Sequence, residues 1–139
     1  MTRNPFHLAM PVSDLKRAKE FYENVLELER GRSSETGVDD NFFGHQVVFH
    51  EVANSSLDVT NPVDGHEVPV PHFGVVLDFD AWEDLAKKLK EKSVSFVIEP
   101  YIRFEGRPGE QGTFFIRDPN GLCLEFKAFK DHEYLFLSE

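Results

Sequence analysis

The chain has 139 residues, of which 40% are hydrophobic, and a formal net charge of −10 at pH 7. This length suits one domain, or two small halves that share one core, and the 14 Phe residues can fill it. The acidity argues against binding to nucleic acid or to an anionic membrane, since both require clustered Lys and Arg. The single Cys123 excludes an internal disulfide, and the opening residues lack a signal-peptide pattern, so we expect a soluble cytoplasmic protein.

The first 52 residues predict a βαβββ module. A strand-like run, "HLAMPV", begins at His7, and residues 13–28 follow with apolar side chains spaced by three and four, typical of an amphipathic helix. Ser13 is the candidate N-cap. Three short apolar segments come next, at about 28–33, 41–44 and 45–52, which we interpret as strands.

The second half repeats this order after residues 53–70, a segment rich in Asn, Ser, Asp, Gly and Pro that we interpret as a linker or long loop. Residues 71–129 form the second predicted module, with His72 at the head of its first strand. Its helix, 80–94, has Asp80 and Glu83 spaced as in a capping box, and three strands follow. Residues 130–139 are left as a C-terminal tail that contacts its own chain or a partner subunit.

The predicted fold class is α+β. One module cannot cover both faces of its sheet, so we expect the two to pair into a curved mixed sheet that encloses a cleft, with the helices outside. Strand alternation places His7 on one face with Ala9, and His72 on one face with Gly74. These small neighbours leave room in front of each imidazole.

The last predicted strand follows the tight-turn sequence "DPNG" and contains one carboxylate, Glu125, among apolar residues. A buried carboxylate without a partner is costly, so Glu125 requires a cation or a hydrogen-bond donor.

Three motifs resemble the vicinal oxygen chelate superfamily, which includes glyoxalase I, extradiol dioxygenases, and the fosfomycin and bleomycin resistance proteins. They are "DLKRAKEFYENVL" after the first histidine strand, the second histidine strand itself, and "RDPNGLCLEF". The resemblance implies a divalent metal on His7, His72 and Glu125. Two imidazoles and one carboxylate suit Fe(II) first, then Mn(II), with Zn or Ni as alternatives.

A fourth ligand, present in glyoxalase-like members, falls at Val48 in our preferred register of the fourth strand. Gln46 and His50 flank Val48 on the same face, and a slip of register would make either of them a ligand. An odd-numbered slip would instead turn His45 inward.

Three further residues are candidates for catalysis: His50 as an acid–base group, Tyr101 as a proton donor, and Arg103 as a partner for an anionic substrate group. Arg107, in the loop after it, is the alternative partner for that anionic group. The resemblance and the triad favour a dioxygenase-like enzyme acting on a small oxygen-bearing molecule. The alternatives are a glyoxalase-like lyase or isomerase, a fosfomycin-resistance-like thiol transferase, and a small-molecule binding protein of the bleomycin-resistance type. We also expect a homodimer.

Overall fold

The computed structural model describes residues 4–55 and 59–136. It divides the chain into two compact units. The first comprises Met1–Leu57 with Asp118–Leu122, and the second comprises Asp58–Arg117 with Cys123–Glu139. Within the described residues, no helix has both the length and the apolar character needed to cross a membrane.

The first unit has a four-stranded mixed sheet in the order β1-β4-β3-β2, in which β1 runs parallel to β4. Helix α1 ends in a single wider, π-helical turn at Phe21–Val25. The elements are β1 His7–Val12, α1 Leu15–Glu20, β2 Glu29–Ser33, β3 Gly37–Phe42 and β4 His45–Glu51.

The second unit repeats this topology, with the sheet order β7-β10-β9-β8 and β7 parallel to β10. A two-stranded hairpin precedes the sheet, and a 3-10 turn, His132–Phe136, follows it. The elements are β5 Thr60–Val63, β6 His66–Pro69, β7 Phe73–Leu77, α2 Phe79–Glu91, β8 Phe96–Arg103, β9 Gln111–Arg117 and β10 Cys123–Phe129.

Both units therefore show the predicted βαβββ order, and the α+β class is confirmed. The hairpin is the main departure, because residues 53–70 are predicted as a linker or loop. Asp64 and Gly65 both adopt positive φ, 49° and 81°, at the turn that joins β5 to β6. Asp-Gly is a strong hairpin signal for this reason, so the sequence did contain the information.

Both helix starts differ from the prediction. Asp14, not Ser13, caps α1 by accepting a hydrogen bond from the Arg17 amide at 3.1 Å. Ser13 is occupied elsewhere, since its hydroxyl donates to Asn120 Oδ1.

Helix α2 begins at Phe79, one residue before the predicted capping box of Asp80 and Glu83. Its N-cap, Asp78, makes no side-chain capping bond; one of its carboxylate oxygens lies 3.2 Å from His132 Nε2.

The second sheet has one face covered by α2 and another that carries polar groups. On the covered face, Trp82 donates from Nε1 to the Phe126 carbonyl, and the rings of Phe114 and Phe126 stack with their centroids 5.2 Å apart. A Cβ at Gly112 would lie 2.8 Å from the Trp82 ring, so a glycine there admits the indole. Alternation then places Thr113, Glu125 and Lys127 together on the opposite face.

Candidate metal centre

The register of β7 against β10 brings His72 to Glu125. Gly74 is the Cα partner of Glu125, and His72 precedes Gly74 by two residues, on the same face. A Cβ at position 74 would lie 1.5 Å from the Glu125 carbonyl oxygen. The two strands can therefore approach this closely only because residue 74 has no side chain.

The His72 ring is held at both nitrogens. Nδ1 lies 2.7 Å from the carbonyl oxygen of Pro69, and Nε2 lies 3.1 Å from Glu125 Oε1. A carbonyl can only accept, so Nδ1 carries a hydrogen and donates it. The neutral ring then has its lone pair on Nε2, facing the carboxylate, and this tautomer is the one that metal-ligating histidines commonly adopt.

The second oxygen of Glu125 accepts a hydrogen bond from the Thr113 hydroxyl at 2.6 Å. Burial acts to raise the pKa of Glu125, but the hydrogen bonds from His72 and Thr113 outweigh it and lower the pKa. The same contact with Glu125 raises the pKa of His72, against the opposing effect of burial. Glu125 is thus an anion at neutral pH, oriented by its neighbours.

This donor set fits a divalent cation. When the ring is neutral, the Nε2 lone pair and a Glu125 oxygen are two acceptors 3.1 Å apart. Either a proton, which makes an imidazolium that donates to Glu125, or a divalent cation between them removes their repulsion. Imidazole nitrogen with carboxylate oxygen suits Fe(II), Mn(II), Zn and Ni.

His7, in the first unit, is held in the same tautomer by a different partner. Its Nδ1 lies 2.7 Å from Gln46 Oε1, and Gln46 Nε2 donates to Asp39 Oδ2 at 3.2 Å. The amide thus turns its oxygen toward His7, which must donate from Nδ1 and keep its lone pair on Nε2. Gln46, weighed above as a possible fourth ligand, uses both ends of its amide in this chain of bonds.

Val48 occupies the predicted position in the first unit. Ala9 is its Cα partner in β1, just as Gly74 is the partner of Glu125. Val48 is 8% exposed and belongs to the core. His45 accepts a hydrogen bond from the Phe6 amide at its Nδ1.

The structure thus joins two of the three predicted metal ligands, His72 and Glu125, in the second unit. His7 lies in the first unit with an exposed side chain. Across the described ranges, 4–55 and 59–136, no group of three or more His, Cys, Asp or Glu side chains is arranged to hold a metal.

Of the three candidate catalytic residues, two are brought together by Asp64. The Tyr101 hydroxyl donates to Asp64 Oδ2 at 2.9 Å, and Arg103 forms an ion pair with the same carboxylate. Hydrogen bonds from Tyr101 and Arg103 lower the pKa of Asp64, and burial together with the Asp64 bond raises that of Tyr101. His50 is exposed on β4 in the first unit.

Sequence reasoning did not identify Asp64, Thr113 or the Pro69 carbonyl. The sequence gives little sign of Thr113 or Pro69, because a threonine in an apolar strand is ordinary and a carbonyl has no residue type. Cys123 lies in an apolar cluster with Val68 and Ile98, and burial raises its pKa to about 11. It is a packing residue and not a thiolate ligand.

The sequence and the structure were both compared with known proteins. The family model for the Glyoxalase/Bleomycin resistance protein/Dioxygenase superfamily matches residues 5–126. The chain therefore belongs to that superfamily, as its motifs predict. A glyoxalase/bleomycin resistance protein/dioxygenase from Alicyclobacillus acidocaldarius is 31% identical, with 96% of this chain and 97% of that one covered and a TM-score of 0.79.

Two further solved structures share the fold at lower identity. The fosfomycin resistance protein FosX from Listeria monocytogenes is 17% identical over 96% of this chain and 99% of its own, with a TM-score of 0.69. A lactoylglutathione lyase from Agrobacterium tumefaciens is 18% identical over 93% and 96%, with a TM-score of 0.64. No protein with a curated description matches the chain.

Proposed function

We propose that the chain is a divalent-metal enzyme with His7, His72 and Glu125 as ligands. One observation carries the proposal: His72 donates from Nδ1 to a backbone carbonyl, and its Nε2 faces a carboxylate whose other oxygen is held by Thr113. Because the Nδ1 hydrogen is held by Pro69, loss of the other ring proton leaves a lone pair on Nε2 that points toward Glu125, which is the arrangement a metal ligand requires. The matching tautomer of His7, fixed by Gln46, supports His7 as the third ligand.

The reaction we favour is dioxygenase-like, on a small oxygen-bearing substrate. Two imidazoles and one carboxylate leave several metal positions open, and the buried Val48 does not add a fourth protein ligand. The metal, when bound, supplies Lewis-acid polarisation and a template for the substrate. The protein's own groups hold the ligands: Thr113 keeps Glu125 anionic, and Pro69 and Gln46 keep the imidazole lone pairs on Nε2.

A redox-neutral lyase, isomerase or thiol transferase is the second candidate. The fold shared with the lactoylglutathione lyase favours it, because that protein is named as a lyase, and FosX, a fosfomycin resistance protein, has the same fold. A non-enzymatic binding protein of the bleomycin-resistance type is the third. Metal identity and oxygen uptake separate the first two, and an absence of bound metal favours the third.

The test is elemental analysis of protein purified without added metal. We expect about one divalent ion per chain in the wild type and less than about one tenth of that in His72→Ala and in Glu125→Gln. The matched control is His132→Ala, whose ring contacts Asp78 and the Leu77 carbonyl instead. If His72→Ala retained its metal, the assigned site would be wrong.

Iron, with oxygen consumption on catechols, supports the dioxygenase. Zinc or nickel without oxygen uptake supports the redox-neutral alternative. His7→Ala tests the third ligand separately, and light scattering tests the predicted homodimer, which stays a prediction.

A further inference from the structure

A second feature of the second unit is a cavity of about 580 Å³ beside the loop that joins β8 to β9. Its charged lining residues are Arg103, Arg107 and Lys127, and none of its described lining residues is acidic. The chain as a whole has 25 acidic and 15 basic residues. A lining whose charged residues are all cationic therefore differs from the acidic composition of the protein.

Two of these three cations form no ion pair with any residue in the described ranges. Arg103 already pairs with Asp64 at the β5–β6 turn. Arg107 is exposed in the loop, and Lys127 is half-buried on β10. The Lys127 ammonium lies 5.7 Å from the centroid of the Phe129 ring. The available positive charge of the cavity therefore comes from Arg107 and Lys127.

The rest of the lining is suited to an apolar, flat molecule. Three aromatic residues contribute to it: Phe104 from the loop, Phe129 from β10, and Tyr134 from the C-terminal turn. The volume lies within the range of ordinary small-molecule sites. Aromatic side chains favour stacking on a ring over contact with a strongly hydrated ion.

Gln111 adds one unsatisfied polar group. It is 8% exposed and lines the cavity, and its Oε1 has no hydrogen-bond partner among the described residues. Its Nε2 donates to the Gly109 carbonyl at 3.5 Å. A buried acceptor without a partner is unfavourable, so a neutral amide that donates a hydrogen bond here gains from it, and an anion binds more tightly than such an amide only through its contact with the cations.

We infer that this cavity binds an organic anion with an aromatic body, its charge held by Arg107 and Lys127 and its ring by Phe104, Phe129 and Tyr134. Lys127 and Glu125 are two residues apart on one face of β10, roughly 7 Å along the strand. The anion is thus placed at the far end of a substrate whose oxygens reach the metal. That last step, which makes the anion the substrate class, rests on the proposed function; the binding of an anion does not.

The experiment is titration calorimetry in Tris chloride with three probes that share one ring system: 1-naphthoate, 1-naphthylphosphonate and the neutral 1-naphthamide. We expect at least one anion to bind about tenfold or more tightly than the amide, because an ion pair in a partly buried site adds to ring contact. The two anions distinguish a carboxylate site from a phosphonate or phosphate site. Equal binding of the amide, or no binding of either anion, overturns the inference.

Substitutions test which residues supply the positive charge that binds the anion. Lys127→Met should weaken binding of the anion about tenfold and leave binding of the amide unchanged. Arg107→Gln should have the same effect, and because Arg107 lies in the exposed loop, this substitution does not disturb the strand. Lys87→Met is the matched control, since Lys87 is exposed on α2 and does not line the cavity. Unchanged anion binding in both Lys127→Met and Arg107→Gln contradicts the inference.

The two proposals fail separately. The calorimetry is repeated on the metal-free wild type and on the His72→Ala variant. His72 does not line the cavity, so this substitution changes the proposed metal site alone. Anion-selective binding that persists in both supports the cavity even if the metal assignment fails. Metal uptake without anion-selective binding leaves the metal centre intact and overturns the anion site.

Discussion

The two units present a histidine in the same way and differ in what stands beside it. In each, the first strand runs parallel to the last, and a small residue lies opposite the key position: Ala9 opposite Val48, and Gly74 opposite Glu125. In the first unit this position is occupied by Val48, which packs in the core, whereas in the second unit Glu125 supplies a carboxylate there. The same βαβββ module therefore presents an imidazole in both units and a carboxylate beside it only in the second.

Two buried carboxylates sharpen this comparison. Asp40, in the first unit, is 2% exposed, and neither of its oxygens has a hydrogen-bond partner among the described residues. Burial raises its pKa to about 6. Glu125 experiences the same effect, but His72 and Thr113 reverse it. The hydrogen-bond donors account for the difference: they lower the pKa of Glu125, whereas the pKa of Asp40, which has no such donor among the described residues, is raised.

The largest expected effect is that of Gly74→Ala. Alanine is the natural residue at the matching position of the first unit, yet at 74 its Cβ would overlap the Glu125 carbonyl. Overpacking against backbone forces β7 and β10 apart, so we expect a loss of at least ~3 kcal/mol of stability and of most bound metal.

The measurements are thermal denaturation and elemental analysis. Gly109→Ala is the control, because a Cβ there has open space around it. A Gly74→Ala protein with wild-type stability and metal content would show that the close strand contact does not position Glu125.

The next effect is a gain in stability from Asp40→Asn. The folded pKa of about 6 lies above the ordinary aspartate value of 3.8, so the folded state favours the neutral acid. Ionisation therefore opposes folding above about pH 6, and this opposition disappears as the pH falls toward 4. At pH 7 the variant should gain up to ~3 kcal/mol.

Urea denaturation at pH 4.5 and pH 7.5 checks both the sign and the pH dependence. The gain should be present at pH 7.5 and small at pH 4.5. Asp80→Asn, on the exposed side of α2, should change little at either pH. A gain that is equal at both pH values would contradict the raised pKa of Asp40.

The third effect is on metal affinity alone. Thr113→Val keeps the shape of a side chain that is 2% exposed but removes the hydroxyl that donates to Glu125 Oε2. We expect metal to bind about tenfold more weakly, since outer groups of this kind commonly contribute that much. Thr60→Val removes a similar bond, to Glu67 in the hairpin, and should leave metal binding unchanged.

Much of the scaffold was predictable from local pattern. The helical periodicity, the repeated histidine strands and the alternation of each strand predicted the βαβββ order. The preferred register of the fourth strand put Val48 at the fourth-ligand position, and the structure pairs it with Ala9. Helix starts were not predictable in the same way. Asp14 caps α1, whereas the predicted cap, Ser13, bonds to Asn120, over 100 residues away in sequence. No local rule reveals a contact of that separation.

The candidate site also combines residues that sequence pattern predicts with residues that it does not. His72 and Glu125 were predictable because a polar residue in an apolar strand is conspicuous. Their supports were not, since Pro69 contributes only its carbonyl, and Thr113 reaches Glu125 through the pairing of β9 with β10. Sequence patterns indicate which groups bear the chemistry, whereas the groups that orient them follow from strand register.

The smallest expected effect concerns His7 in the first unit and the side chain that orients its ring. The Nδ1 partner of His72 is a backbone carbonyl that no side-chain substitution removes, but the partner of His7 is the Gln46 amide, which can be replaced. In Gln46→Leu the His7 ring loses its acceptor, so the population with a hydrogen on Nδ1 should fall. Since the ring is exposed, we expect metal affinity to fall only a few-fold.

Nitrogen-15 NMR of the imidazole tautomers in the metal-free protein, together with metal titration, measures both effects. The conservative variant is Gln46→Glu combined with Asp39→Asn, because the carboxylate at position 46 still accepts from His7 Nδ1 and no longer faces a second carboxylate. The His72 signals should stay unchanged in both variants. If Gln46→Leu left the His7 tautomer and the metal affinity as they are, the amide would not orient the ring, and the likeness between the two histidines would be confined to strand register.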